Sequence, residues 1–234
     1  MKLTSAVIKA KASELGFHLC GIAPVERFTG LGIKTDPLAV FAECKSVIVV
    51  AMKFLGSTLK ASSTIPYTIL RNGLSREIDT KTTELSYFIE EHDLLAVPTG
   101  AIEPCNYDNE IKKTVGLISL KNAAYLAGLG VIGKNTLLIT PKYGNMVWLG
   151  AVLTNAELEP DPVMEYNPCK ESCGVCISNC PVQALDGSKF IDQMKCWNYA
   201  FGEEDGGEWR IKCFKCRAVC PYSKGFKLRE NAGV

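Results

Sequence analysis

No stretch of this chain approaches the roughly 20 consecutive apolar residues that a membrane-spanning helix needs, so a membrane protein is not expected. Residues 1–12 carry Lys2, Lys9 and Lys11 among their apolar positions. They have neither the continuous apolar run nor the small-residue cleavage site of a secretory signal, and the expected location is the cytoplasm. Neither sign of charge dominates: 26 Lys+Arg against 25 Asp+Glu leave a formal net charge of +1. That balance lacks the electrostatic footprint of a nucleic-acid or membrane-surface binder, so nucleic acid is not expected as a partner. Histidine is scarce. His18 and His92 stand far apart, and nothing pairs either with a nucleophile or a metal-ligand set.

Apolar residues are plentiful, at 47% of the 234, enough for one large domain or two modest ones. Residues 4–15 place apolar side chains at helical spacing, with Gly16 as the stop. Phe17–Ala23 reads as a short strand ending at Pro24. Lys45–Lys53 (KSVIVVAMK) is β-branched and continuous, the pattern of a buried strand. Residues 76–91 and 119–127 read as helices. Strand-like runs fall near Leu94–Pro98, Thr136–Thr140 and Met146–Leu153. Helices alternating with strands fit an α/β or α+β sandwich over residues 1 to 157. Residues 157–168 then carry three prolines and four acidic residues, the composition of a linker or an extended wrap. The second domain, 158–234, is too poor in aliphatic residues for a large core, so bound metal is expected to stabilise it.

Cysteine is the outlier. Of 11, only Cys20, Cys44 and Cys105 precede residue 169. Without an export signal, dense cysteines point to metal ligands rather than disulfides. The run CKESCGVCISNCP supplies Cys169, Cys173, Cys176 and Cys180, followed by Pro181. The run CFKCRAVCP supplies Cys213, Cys216 and Cys220, followed by Pro221, and Cys196 lies between the runs. Both contain C-x₂-C-x₃-C-P, the core of the bacterial ferredoxin run C-x₂-C-x₂-C-x₃-C-P. The first gap here has three residues instead of two. In two-cluster ferredoxins the fourth cysteine of a run ligates the other cluster. Applied here, Cys169, Cys173, Cys176 and Cys220 hold one [4Fe–4S] cluster, and Cys180, Cys196, Cys213 and Cys216 hold the second. Two structural Cys₄ zinc sites are the alternative. Cys20 and Cys44 read as buried core thiols, and Cys105 falls on a loop where it could be exposed.

A glycine-rich stretch, AGLGVIGKNTLLI, matches G-x-G-x-x-G at Gly128, Gly130 and Gly133, and most of a P-loop through Lys134. The context is wrong for either: a helix precedes and a strand follows, and Asn135 stands where a P-loop needs Ser or Thr. Two readings stay open. Backbone amides with Lys134, Asn135 and Thr136 could face a cofactor, or the stretch is a helix C-cap and a tight turn.

Taken in order, AGLGVIGKNTLLITPKYGNMVWLGAVLTNAELEPD, CGVCISNCPVQAL and CFKCRAVCP resemble the epoxyqueuosine reductases and, more distantly, the cobalamin-dependent reductive dehalogenases. The resemblance runs from Ala127 to Pro221 and is weaker but collinear before it. It implies a nitroreductase-like α/β sandwich that binds cobalamin, followed by a ferredoxin-like two-cluster module that passes single electrons to a corrinoid. Gly130, Lys134, Asn135, Thr136, Tyr143 and Gly144 fall where that family lines the corrinoid side. A ferredoxin or flavodoxin would donate electrons, and a separate corrinoid protein is a second possible partner. Two departures stand out. The family's proton-donating acid has no counterpart in KKTVGLIS, and Glu103 and Asp108 lie outside that motif. The chain also ends at Val234, before any helical-repeat domain of the kind that long members use to hold tRNA. The expectation is therefore a reductase of a small substrate, or else an electron-transfer or corrinoid-reactivating protein.

Overall fold

The computed structural model describes residues 3–29, 36–102, 104–109, 113–166, 168–188, 190–203 and 207–225. Lys2, Glu103, the first lysine of KKTVGLIS and Val234 lie outside them. In chain order the first half holds α1 (Ser5–Glu14), β1 (Leu19–Pro24), α2 (Pro37–Val40), β2 (Ser46–Lys53), α3 (Ile65–Glu90), β3 (Ala96–Pro98), β4 (Asn106–Asp108) and β5 (Lys113–Val115). The second half holds α4 (Leu120–Leu126), β6 (Val131–Ile132), β7 (Leu138–Ile139), β8 (Val147–Thr154), α5 (Val175–Ser178), α6 (Gln193–Ala200), β9 (Phe201–Glu203), β10 (Trp209–Ile211) and α7 (Lys215–Ala218). Among the described residues no helix is long and apolar enough to cross a membrane. The architecture is mixed α/β with several small sheets.

The chain forms two compact units, each assembled from separated segments. The first comprises the described residues up to Phe54, Arg71–Leu129 and Trp148–Met164. Its sheet has the order β1-β2-β8-β3, with β1 antiparallel to β2 and β3 antiparallel to β8. Strand β2 is buried from Ser46 to Met52, as a β-branched run without alternation requires. Ser46 tolerates burial because its hydroxyl donates to Ala156 O and accepts from Leu158 N.

Helix α1 is capped by Thr4, whose Oγ1 accepts from Val7 N. Helix α3 starts eleven residues before the expected 76. Pro66 sits in its first turn, where a missing N–H costs nothing. Its buried positions Leu74, Ile78, Thr82, Leu85 and Ile89 recur every three to four residues. Ile78 lies against Gly150 of β8, at a position with no room for a further methyl.

The acidic, proline-rich stretch after β8 is a wrap on this unit. Asp161 N donates to Ile22 O, and Ile22 N donates to the Asp161 carboxylate. Lys9 pairs with the same carboxylate, and Arg27 donates to the carbonyls of Leu126 and Asp161.

The second unit comprises Leu55–Leu70, Gly130–Val147 and the described residues from Glu165 onward. All eight clustered cysteines lie in it. Its apolar support comes from all three segments. Tyr67 stacks on Phe214 with ring centroids 4.5 Å apart, and Ile211 N donates to Thr68 Oγ1. Val131, Leu138, Ile139 and Met146 are buried alongside Leu185 and Ile211.

Candidate redox centre

The two C-x₂-C-x₃-C-P runs fold alike. In the first, Ile177 N and Ser178 N both donate to Gly174 O, Asn179 N to Val175 O, and Gln183 N to Cys180 O. In the second, Arg217 N and Ala218 N donate to Phe214 O, Val219 N to Lys215 O, and Ser223 N to Cys220 O. Each run is thus a one-turn helix (α5 or α7) carrying the middle cysteine, then a turn at the cysteine–proline step. Proline cannot continue the helix, so the final thiol of each run leaves the helix axis. Helices α5 and α7 pack against each other.

This packing sorts the thiols. The thiol of Cys220 is pushed up to about 11, first by burial and then by the charges of Cys169, Cys176 and Cys173, with Tyr222 N–H opposing. Cys176 is raised by burial and by Cys169 and Cys173. Burial pushes Cys216 up to about 11 as well, opposed by Arg217 and reinforced by Cys196, Cys213 and Cys180. The electrostatic neighbours therefore form two crossed sets, and Cys180 and Cys220 each face the set built on the other run. Among the described residues no three or more His, Cys, Asp or Glu side chains are arranged to hold a metal ion. Ala184 N donates to Cys180 Sγ at 3.3 Å.

The glycine stretch divides between the units. In the first, Gly128 closes α4: Gly128 N donates to Tyr125 O and Leu129 N to Ala124 O, the paired bonds of a Schellman cap. Its φ of +72° suits glycine, and a Cβ there would strike the Pro162 carbonyl. From Gly130 onward the stretch belongs to the second unit. Strands β6 and β7 form a hairpin whose turn holds Gly133, Lys134, Asn135 and Thr136. Lys134 Nζ donates to the carbonyls of Lys170, Glu171 and Cys173. Asn135 Nδ2 donates to Cys216 O. Gly144, at φ +57°, presses on the Tyr222 carbonyl, where no Cβ fits. Tyr143 is half-buried beside it.

Two residues of this unit carried no sequence signal. Arg217 is buried and donates to Asn145 O, while Asn145 Nδ2 donates to Arg217 O at 3.2 Å. An arginine inside a cysteine run reads as surface until its partner is known.

Of the remaining candidates, Cys44 and Cys105 fall where expected, and Cys20 is less buried than expected. Cys44 is buried, and Cys105 is exposed on its loop. Cys20 lies half-buried in β1, and burial pushes its thiol up to about 12. His18 is exposed. His92 Nδ1 lies 2.9 Å from Phe88 O.

The fold and the site define a mixed α/β protein with an eight-thiol module. No family model matches the chain. It is 27% identical over 229 residues to the epoxyqueuosine reductase of Staphylococcus aureus, covering 92% of this chain and 58% of that one. It is 29% identical over 261 residues to that of Gloeobacter violaceus, covering 95% of this chain and 77% of that one. The chain therefore spans little more than half of the first relative.

Among solved structures, an epoxyqueuosine reductase in complex with an epoxyqueuosine-modified tRNA-Tyr stem loop superposes with a TM-score of 0.65 at 21% identity, over 94% of this chain and 65% of that one. A reductive dehalogenase described with B12-dependent dehalogenation superposes at 0.68 and 17% identity, over 93% of this chain and 31% of that one. The chain is related by sequence to the epoxyqueuosine reductases and shares its general fold with them and with the reductive dehalogenases.

One expectation is overturned. Nucleic acid was not expected, yet the relative with the tRNA stem loop binds it. A net charge of +1 averages over the whole chain and carries no information about a local surface, so it does not exclude such a partner.

Proposed function

We propose that the chain is a corrinoid-dependent reductase in which two [4Fe–4S] clusters relay single electrons toward a bound cobalamin. The observation that carries this reading is the crossed sorting of the eight thiols. Cys169, Cys173, Cys176 and Cys220 would hold one cluster, and Cys180, Cys196, Cys213 and Cys216 the other, an arrangement that suits a pair of cubanes sharing two runs. The relation to the epoxyqueuosine reductases supports the cobalamin. When bound, these groups supply one-electron storage and a reducing metal centre.

The chain's own residues do the rest. Burial of Cys176 and Cys220 keeps water from the thiolates. The Arg217 guanidinium favours the thiolate of Cys216. The amide of Ala184 donates to Cys180 Sγ. Hydrogen bonds and charges of this kind set a cluster's potential.

A second reading, an electron carrier or corrinoid-reactivating protein, draws on one observation. A Bacillus subtilis epoxyqueuosine reductase is described with an aspartate catalytic loop, and Thr114–Ser119 here contains no acid.

Anaerobic purification tests the common core. About eight iron and eight sulfide per chain are expected, and stoichiometric zinc without broad visible absorption overturns the reading. Cobalamin retention, with reduction of an epoxyqueuosine-bearing tRNA-Tyr stem loop, supports the enzyme. Rapid reduction of a separate corrinoid protein, without cobalamin retention, supports the carrier.

A further inference from the structure

We propose that Lys134 is a positioning residue for the first cysteine loop and that its charge sets the reduction potential of the centre on Cys169, Cys173, Cys176 and Cys220. The redox half rests on the cluster reading above; the positioning half does not.

An ammonium has three hydrogens. Lys134 Nζ donates to Lys170 O at 3.1 Å, Glu171 O at 2.7 Å and Cys173 O at 3.0 Å. All three acceptors lie in CKESC, the segment that departs from ferredoxin spacing by one residue. The longer gap forms a turn of its own: Lys170 N donates to Pro168 O and Cys173 N to Lys170 O. The carbonyls of Lys170, Glu171 and Cys173 converge on Lys134 Nζ, and carbonyls converging on one point repel unless a cation sits among them. Lys134 supplies that cation.

The lysine is itself held. Gly133 N donates to Leu137 O, Thr136 N to Gly133 O, and Leu137 N to Asn135 Oδ1, which fixes the hairpin turn. Asn135 in the same turn donates to Cys216 O. Adjacent side chains of one turn therefore grip both cysteine runs.

A positive charge beside a cluster stabilises the added electron and raises the potential. A unit charge roughly 8 Å away, at an effective dielectric of about 20, changes a one-electron equilibrium about thirtyfold, and solvent beside the half-buried lysine lowers that toward tenfold. Tenfold corresponds to about 59 mV for one electron.

The test uses the full chain, purified anaerobically, as wild type, Lys134→Met, Lys134→Arg and an exposed control, Lys142→Met. Dithionite titration followed by electron paramagnetic resonance reads each centre. Amide exchange at Lys170 and Cys173 reads the loop. In Lys134→Met, one centre should become about tenfold harder to reduce while the other stays put, and exchange at both amides should rise about tenfold. Loss of about half the iron from this variant alone also supports the proposal. Lys134→Arg should restore the potential, and Lys142→Met should move neither readout. Unchanged potentials, or equal shifts at both centres, overturn the redox half. Unchanged exchange overturns the positioning half. If the wild type holds no iron, the cluster reading falls by itself, and the exchange comparison still decides the role of Lys134.

Discussion

Replacing Cys220 by alanine separates a crossed arrangement from an uncrossed one. Cys220 lies on the second run, 40 positions after Cys180 on the first. Its thiol is buried and feels Cys169, Cys176 and Cys173, all from the first run. Crossed ligation therefore predicts that Cys220→Ala empties the centre on the first run and spares the one on Cys196, Cys213 and Cys216. Iron should fall from about eight to about four per chain, with sulfide in parallel. The decisive comparison is between two double variants, because residues serving one centre are not additive. Adding Cys169→Ala to Cys220→Ala should remove nothing more. Adding Cys216→Ala should take the remaining iron to near zero. Anaerobic iron and sulfide analysis, with spin counting after reduction, reads all three. If the Cys169/Cys220 pair loses everything while the Cys216/Cys220 pair keeps about four iron, ligation is uncrossed and the inference from thiol proximity is wrong.

Three further tests concern the first unit. Burial pushes Cys44 up to about 11 and Cys20 up to about 12, so at pH 8 about one thiol in a thousand and one in ten thousand are thiolate. Iodoacetamide should label exposed Cys105 well before either, read by mass spectrometry; equal rates refute the burial. Because the native thiols hold protons more tightly than the unfolded chain, their contribution is full below pH 9 and is lost as pH rises through 11. Denaturant midpoints should therefore fall between pH 9 and 11, and Cys44→Ala should flatten that fall. Separately, Gly150→Ala should cost about 1–3 kcal/mol, since the new methyl strikes Ile78. Ile78→Ala should cost about 2–5 kcal/mol. Combined, they should cost clearly less than their sum, and strict additivity in urea titrations refutes the contact.

What was legible in the sequence follows from how many ways a residue can be satisfied. Strand β2 was legible because seven consecutive buried positions leave a chain few options. The local fold of the two cysteine runs was legible because C-x₂-C-x₃-C-P, which holds six of the eight clustered cysteines, encodes a one-turn helix and a proline exit, each fixed by local backbone bonds. The start of α3 was not. Pro66, Thr68 and Gly73 argue against a helix locally, and the segment is held by partners distant in sequence: Tyr67 by Phe214, Thr68 by Ile211. The glycine stretch gave the turn but not its clients. Nothing in GKN says that its lysine and asparagine would grip carbonyls near Cys173 and Cys216. Nor did the composition change at 157 reveal that 55–70 and 130–147 fold with the cysteines, because that membership depends on contacts rather than on composition.

The second unit has two kinds of glue, and they should fail separately. Its turns at α5 and α7 are single helical turns, too short to persist without tertiary support. Without metal, burial and their mutual proximity hold the thiols of Cys216 and Cys220 up at about 11, so they stay neutral and do not bind the turns together. The hairpin β6–β7 and the Tyr67–Phe214 stack rest instead on buried apolar groups such as Ile139 and Ile211, which do not depend on metal. Stripping iron with a chelator under reducing conditions should therefore raise amide exchange at Ile177, Asn179, Ala218 and Val219 by an order of magnitude or more. Exchange at Ile211 and Leu138 should change far less. Strand β2 should not respond, its protection coming from seven buried side chains in the other unit. Uniform loss of protection across the second unit would show that the hairpin and stack cannot hold without metal. Unchanged exchange at α5 and α7 would show that these turns need no ligand to form.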